Sequence, residues 1–141
     1  MVFKINVADK GKTIKFETDN EELIDKIIGD TISGKDINAD LEGYELKITG
    51  TSDKAGFPGL KHIPGPALKR PLLTYGTGMW TKPKGLSKKP VAMPHGLRLR
   101  KTVRGNAISA DTVQINTIVV KEGSKKFQDL LPKKEEKAPA Q

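Results

Sequence analysis

The sequence predicts a mainly β protein: a small β-barrel-like domain with one short N-terminal helix and long basic, Pro/Gly-rich loops. Three observations predict it. Apolar and polar residues alternate in four separate stretches, which is the period of a half-buried strand. Only one stretch carries a helical period. The middle of the chain concentrates the residues that break both kinds of element: seven of nine prolines and seven of fourteen glycines lie in 54–104.

In chain order, VFKINVA (2–8) alternates around Val2, Ile5 and Val7 and reads as a strand. Asp9-Lys10-Gly11-Lys12 is a turn, and TIKFET (13–18) alternates again, so the two form a β-hairpin. In TDNEELIDKIIG (18–29), Thr18 and Glu21 suit a capping box. Leu23, Ile24, Ile27 and Ile28 share one helical face there, and Gly29 suits a C-terminal cap. This is the expected helix. Residues 31–43 read as a short strand or an irregular crossing. YELKITG (44–50) alternates at Tyr44, Leu46 and Ile48 and is a strand. LKRPLLTYG (68–76) and GLRLRKTVRG (96–105) each supply a short strand, while 76–95 reads as a long basic loop. Val113, Ile115 and Thr117 alternate into Ile118-Val119-Val120, the clearest strand of the C-terminal third.

The 141 residues suit one domain, expected over 1–123 with the basic segment 54–104 carried on it. Residues 124–141 are expected to make a short helical turn and a disordered tail. There is no cysteine, which excludes disulfides, thiolate nucleophiles and thiolate metal sites. No apolar run reaches a membrane span, and the charged, alternating N-terminus does not read as a signal peptide, so an intracellular, cytoplasmic location is expected.

Charge distribution carries more than its total of +8. Residues 1–53 hold 7 Lys/Arg against 12 Asp/Glu, whereas residues 54–104 hold 12 Lys/Arg and no acid. A field of one sign over one continuous segment is what a polyanion-binding surface requires. The set is Lys54, Lys61, Lys69, Arg70, Lys82, Lys84, Lys88, Lys89, Arg98, Arg100, Lys101 and Arg104. Guanidinium groups fork onto phosphate oxygens, while lysines act as point charges. In an extended strand Arg98 and Arg100 face one side and Lys101 the other. Phe57, Tyr75 and Trp80 interleave with these cations. Phe57 and Tyr75 suit core positions, and Trp80 is the candidate to stack on an unpaired base. With no helix in the basic segment the major-groove helix modes fall away, and an irregular basic segment on a β domain suits folded RNA.

Catalytic patterns are absent. His62 and His95 stand alone in proline-rich loops, and neither GxSxG nor GxxxxGK[ST] occurs. No catalytic residue, metal site or cofactor is expected.

ITGTSDKAGFPG (48–59) and RKTVRGNAISADTVQINTIVVKEG (100–123) resemble the family of small-subunit ribosomal protein six of the eukaryotic and archaeal type. Asp53, Lys54, Gly56, Phe57 and Pro58 match its first motif, and Arg100, Lys101, Thr102, Val103, Arg104 and Gly105 its second. The resemblance covers residues 1–125. The chain differs in having Gly50-Thr51 where the family has two glycines, and Gly59 where it has methionine. The long basic C-terminal helix of the eukaryotic members is missing, so the short form resembles the archaeal ones. The resemblance implies a structural constituent of the small ribosomal subunit that binds ribosomal RNA in translation, beside neighbouring ribosomal proteins. No membrane association and no homo-oligomer are expected. The alternative is a free RNA-binding regulatory protein acting off the ribosome.

Overall fold

Alternation in the sequence becomes pairing in the computed structural model, which describes residues 2–80 and 94–130. The strands are β1 (Phe3–Asp9), β2 (Lys12–Thr18), β3 (Thr31–Ser33), β4 (Glu45–Asp53), β5 (Leu68–Lys69), β6 (Leu72–Thr74), β7 (Arg98–Arg100), β8 (Val103–Arg104) and β9 (Thr112–Lys121). Three single 3-10 turns, Glu21–Leu23, Gly34–Asp36 and Ala39–Leu41, join the early strands.

β1 and β2 form the expected hairpin, in register from Phe3 opposite Thr18 to Asp9 opposite Lys12. Its two-residue loop needs positive φ at both positions, and Lys10 (φ 45°) and Gly11 (φ 80°) supply it. The last strand is threaded into the middle of the sheet. β9 runs parallel to β1, with Ile5 opposite Ile115, and antiparallel to β4, giving the order β2-β1-β9-β4-β3. β4 is bulged between Ile48 and Gly50, and the Thr49 hydroxyl there donates to the Asn116 carbonyl at 3.0 Å.

Two apolar clusters hold the described residues together. The larger joins Phe3, Ile5, Val7, Leu46, Ile48 and Ile115 of the sheet to Leu23, Ile28, Leu41, Tyr44, Ile108 and Phe127 of the connecting segments. The smaller contains Leu60, Ile63, Leu73, Met79 and Val103, with Leu97 and Leu99 packed against it. It seats the pairs β5–β8 and β6–β7. Residues 127–130 form a turn that brings Phe127 into the larger cluster.

Two expectations about the fold are corrected. The N-terminal helix over 18–29 does not form, and no helix of seven or more residues occurs among the described residues. Asn20, not Thr18, caps the short turn, accepting from the Glu22 N–H at 3.0 Å. Beyond it the backbone turns to other partners. Asp25 adopts φ 67°, outside any right-handed helix. Asp25 N–H donates to Ile108 O, Ile28 N–H to Asn106 O, and Gly29 N–H to Ile48 O. Sheet-like pairing therefore takes the donors that an α-helix would have used, and the helical spacing of Leu23, Ile24, Ile27 and Ile28 is overridden. Leu23 and Ile28 are buried while Ile27 is exposed.

The barrel does not close. β2 pairs only with β1 and β3 only with β4, so the five-stranded sheet is open among the described residues. β3 is three residues long and runs straight into the Gly34–Asp36 turn, too short to carry pairing onward. The segment after β4 continues the sheet by a single bridge among the described residues, Ser52 to Pro58, with Gly59 N–H on the Thr51 carbonyl and Asp53 N–H on the Phe57 carbonyl. Pro58, Pro64, Pro66 and Pro71 remove ladder donors, and Pro71 separates β5 from β6.

Candidate nucleic-acid interface

Cations far apart in the sequence meet because the segment after β4 folds back on the one before β9. Leu68 lies opposite Arg104 and Lys69 opposite Val103; Leu72 lies opposite Arg100, Leu73 opposite Leu99, and Thr74 opposite Arg98. Residues directly opposite share a face of the ribbon, as do residues two apart. Leu73 and Leu99 therefore turn together into the smaller core, which sends Arg98, Arg100, Leu72 and Thr74 outward.

The bends add further cations beside these strands. Arg100 Nη1 donates to the Arg70 carbonyl at 3.2 Å, and Lys69 Nζ to the Pro64 carbonyl at 2.9 Å. Lys101 is half-buried, its N–H on the Pro71 carbonyl. Lys54 lies at the other end of the ribbon, in a shallow depression that it shares with Leu68, Arg104 and the carboxylates of Asp53 and Asp111. Five candidate cations, Lys69, Arg70, Arg98, Arg100 and Lys101, thus lie along the ribbon, with Lys54 at its far end. Among the described residues none of them has a carboxylate within ion-pair reach.

Arg104 is built in. Its Nε donates to Asp53 Oδ2 at 3.0 Å, and its Nη1 donates to the Pro66 carbonyl at 2.9 Å and lies 3.4 Å from Asp111 Oδ2. The other oxygen of Asp53 accepts from the Phe57 N–H at 2.7 Å. The side chain of Asp53 is 1% exposed and that of Arg104 12%. The Arg104 backbone is used as well, its N–H on Pro58 O and its carbonyl accepting from Leu60 N–H. One residue thus ties β8 to the end of β4, to 58–60 and to Pro66.

Lys61 goes elsewhere, into a groove against Gly29. Phe57 is half-buried, and Tyr75 and Trp80 are both exposed, Trp80 at 65%. Their rings meet edge to face, centroids 5.2 Å apart at 86°. Lys82, Lys84, Lys88 and Lys89 lie outside the described residues. His62 and His95 are exposed, and no group of three metal-ligating side chains forms among the described residues.

Asn106 escaped the sequence reading, because nothing in its neighbourhood marks an asparagine as a staple. Its Oδ1 accepts from Gly65 N–H at 3.2 Å, its Nδ2 donates to the Lys61 carbonyl at 3.2 Å, and its N–H donates to Ile63 O. It clamps the 61–65 strap over the ribbon's root.

The family model for ribosomal protein S6e matches residues 1–132. The small ribosomal subunit protein eS6 of Methanothermobacter thermautotrophicus is 45% identical over 139 residues, covering 96% of this chain and 100% of the relative. That of Methanococcus maripaludis is 48% identical over 126 residues, covering 88% of this chain and 91% of the relative. That of Archaeoglobus fulgidus is 46% identical over 114 residues, covering 81% and 79%. The chain belongs to the ribosomal protein S6e family, and its kind is a structural component rather than an enzyme.

Proposed function

We propose that this chain is a structural constituent of the small ribosomal subunit and that it binds ribosomal RNA through the ribbon of β5 to β8. The observation that carries this reading is the set of five cations along the ribbon with Lys54 at its end, none in an ion pair among the described residues. The names of the relatives support the ribosomal part of it. Residues 1–123 act as one unit: the sheet fixes Asp53, Asp53 fixes Arg104, and the smaller core fixes the outward aim of Arg98 and Arg100. Phosphate oxygens take the place of the missing carboxylates. The partners are small-subunit ribosomal RNA and neighbouring ribosomal proteins, in the cytoplasmic ribosome. Trp80, with its ring open to solvent beside Tyr75, stacks on an unpaired base. Lys82, Lys84, Lys88 and Lys89 add charge to the same partner.

The test is salt dependence. If about six phosphates are neutralised, affinity of the full chain for a small-subunit ribosomal RNA transcript should fall with a log–log slope on the order of −4 to −5. Replacing Arg98 and Arg100 together by alanine should flatten that slope by about 1.5 to 2. An unchanged slope would mean that these two side chains do not touch phosphate. Sedimentation separates the ribosomal role from a free regulatory one: the endogenous protein should travel with small subunits, and a persistent soluble pool beside subunits lacking it would overturn the reading.

A further inference from the structure

A second surface lies beside the ribbon, between the outer face of β4 and β9, the segment 59–62 and Thr77. It is a groove of about 450 Å³. Ile118 lines it with exposed apolar surface, backed by the buried side chains of Ile28 and Leu60, and Lys47, Lys61 and His62 line it with polar groups. No carboxylate is among its lining residues. Lys47 comes from the acid-leaning first third of the chain, so the acid-free segment is only half of it.

Gly29 forms part of the groove wall. That residue sits at φ +110°, and a methyl group there would stand 3.3 Å from Lys61 Cε and 3.5 Å from Lys61 Nζ. The ammonium of Lys61 therefore lies directly over a bare backbone at the groove wall. Opposite, Ile118 is 43% exposed, a large apolar side chain left in water next to two lysines. An inorganic anion would have no use for the apolar wall. An apolar side chain of a protein would have no use for two ammonium groups and an imidazole. A nucleotide uses both, and the volume is within the range of small-ligand sites.

We infer that this groove holds a single unpaired RNA nucleotide, its base against Ile118 and Leu60 and its phosphate toward Lys47 and Lys61. The inference rests on the RNA-binding reading above, and deepens it by naming a site for one splayed-out base.

The experiment is a titration of the full chain, isotope-labelled on amides and isoleucine methyls, with adenosine and uridine monophosphates. Inorganic phosphate alone and the two nucleosides alone form separate arms. Either nucleotide should shift the Ile28 and Ile118 methyls and the Gly29 and Lys61 amides with millimolar affinity, roughly tenfold tighter than phosphate or nucleoside alone. Ile118→Glu, at an exposed position beside Lys47, should abolish these shifts in a folded protein, and Lys61→Ala should weaken them severalfold. Silent pocket resonances would overturn the inference. So would equal shifts from phosphate alone, or full nucleotide binding by folded Ile118→Glu. A flat salt response with pocket shifts intact would count against the ribbon only; a steep salt response with a silent pocket would count against the pocket only.

Discussion

Arg98 and Arg104 carry the same side chain six positions apart, yet stability and binding should divide between them. Arg98 stands outward on β7 with no ion-pair partner among the described residues, whereas Arg104 is enclosed against Asp53. Removing one partner of a buried, hydrogen-bonded pair strands the other, so Arg104→Ala or Asp53→Ala should cost about 3 kcal/mol in urea unfolding. Arg98→Ala should stay within about 0.5 kcal/mol in the same measurement. Equal costs would refute this division of roles. Tyr44 offers a second test. Burial first, and then the carboxylates of Glu122, Asp9 and Asp129, push its phenol up from the ordinary value of 10.0. Its hydroxyl donates to the Lys125 carbonyl. A raised phenol gives stability that is complete below the unfolded value and is lost as pH climbs through the folded one. Tyr44→Phe should therefore be less stable by about 1 kcal/mol at neutral pH. The gap between the two proteins should narrow above pH 10, which urea unfolding across pH 8–11 would reveal. A constant gap would mean that the phenol titrates alike folded and unfolded.

The strap 61–67 is what turns a basic stretch of chain into a ribbon, and its tolerance is small. Gly105 passes so close beneath it that an added methyl would fall 1.7 Å from the Gly65 carbonyl oxygen. Backbone cannot yield as a side chain does, so Gly105→Ala should cost about 2–3 kcal/mol and loosen β5–β8 first. Amide exchange at Leu68 and Lys69 checks the order; a variant as stable as the parent would show the strap to be pliable. This element also marks where sequence reading ends. The strands of the sheet were legible because alternation in 2–8, 13–18 and 44–50 is a local property, set by which face meets the core. The strap was not, since Asn106 and Gly105 act on residues forty positions away. The expected helix failed for the same reason: the partners of Asp25 and Ile28 lie at 106–108. The candidate cations were legible as a set from charge alone. That Arg104 would be consumed by Asp53 and Asp111 was not, because both acids lie outside the acid-free segment.

At the scale of the molecule, two cores of unequal size share one chain. Among the described residues, fifteen buried ones support the sheet and five support the ribbon. Local opening follows buried contact, so the ribbon should open on its own well below the free energy of global unfolding. Native-state hydrogen exchange should find Thr74 and Arg100 amides exchanging long before those of Ile5 and Ile115, with saturating ribosomal RNA closing the gap. Uniform exchange would mean a single cooperative unit. The place of β9 has a further consequence. The strand that completes the centre of the sheet is made last, about a hundred residues after the hairpin it must join, and at cellular synthesis speeds of about 5–20 residues per second the interval is several seconds. Throughout that time one edge of β1 waits unpaired on the nascent polypeptide, so birth, more than maturity, is when this protein most needs shelter from aggregation.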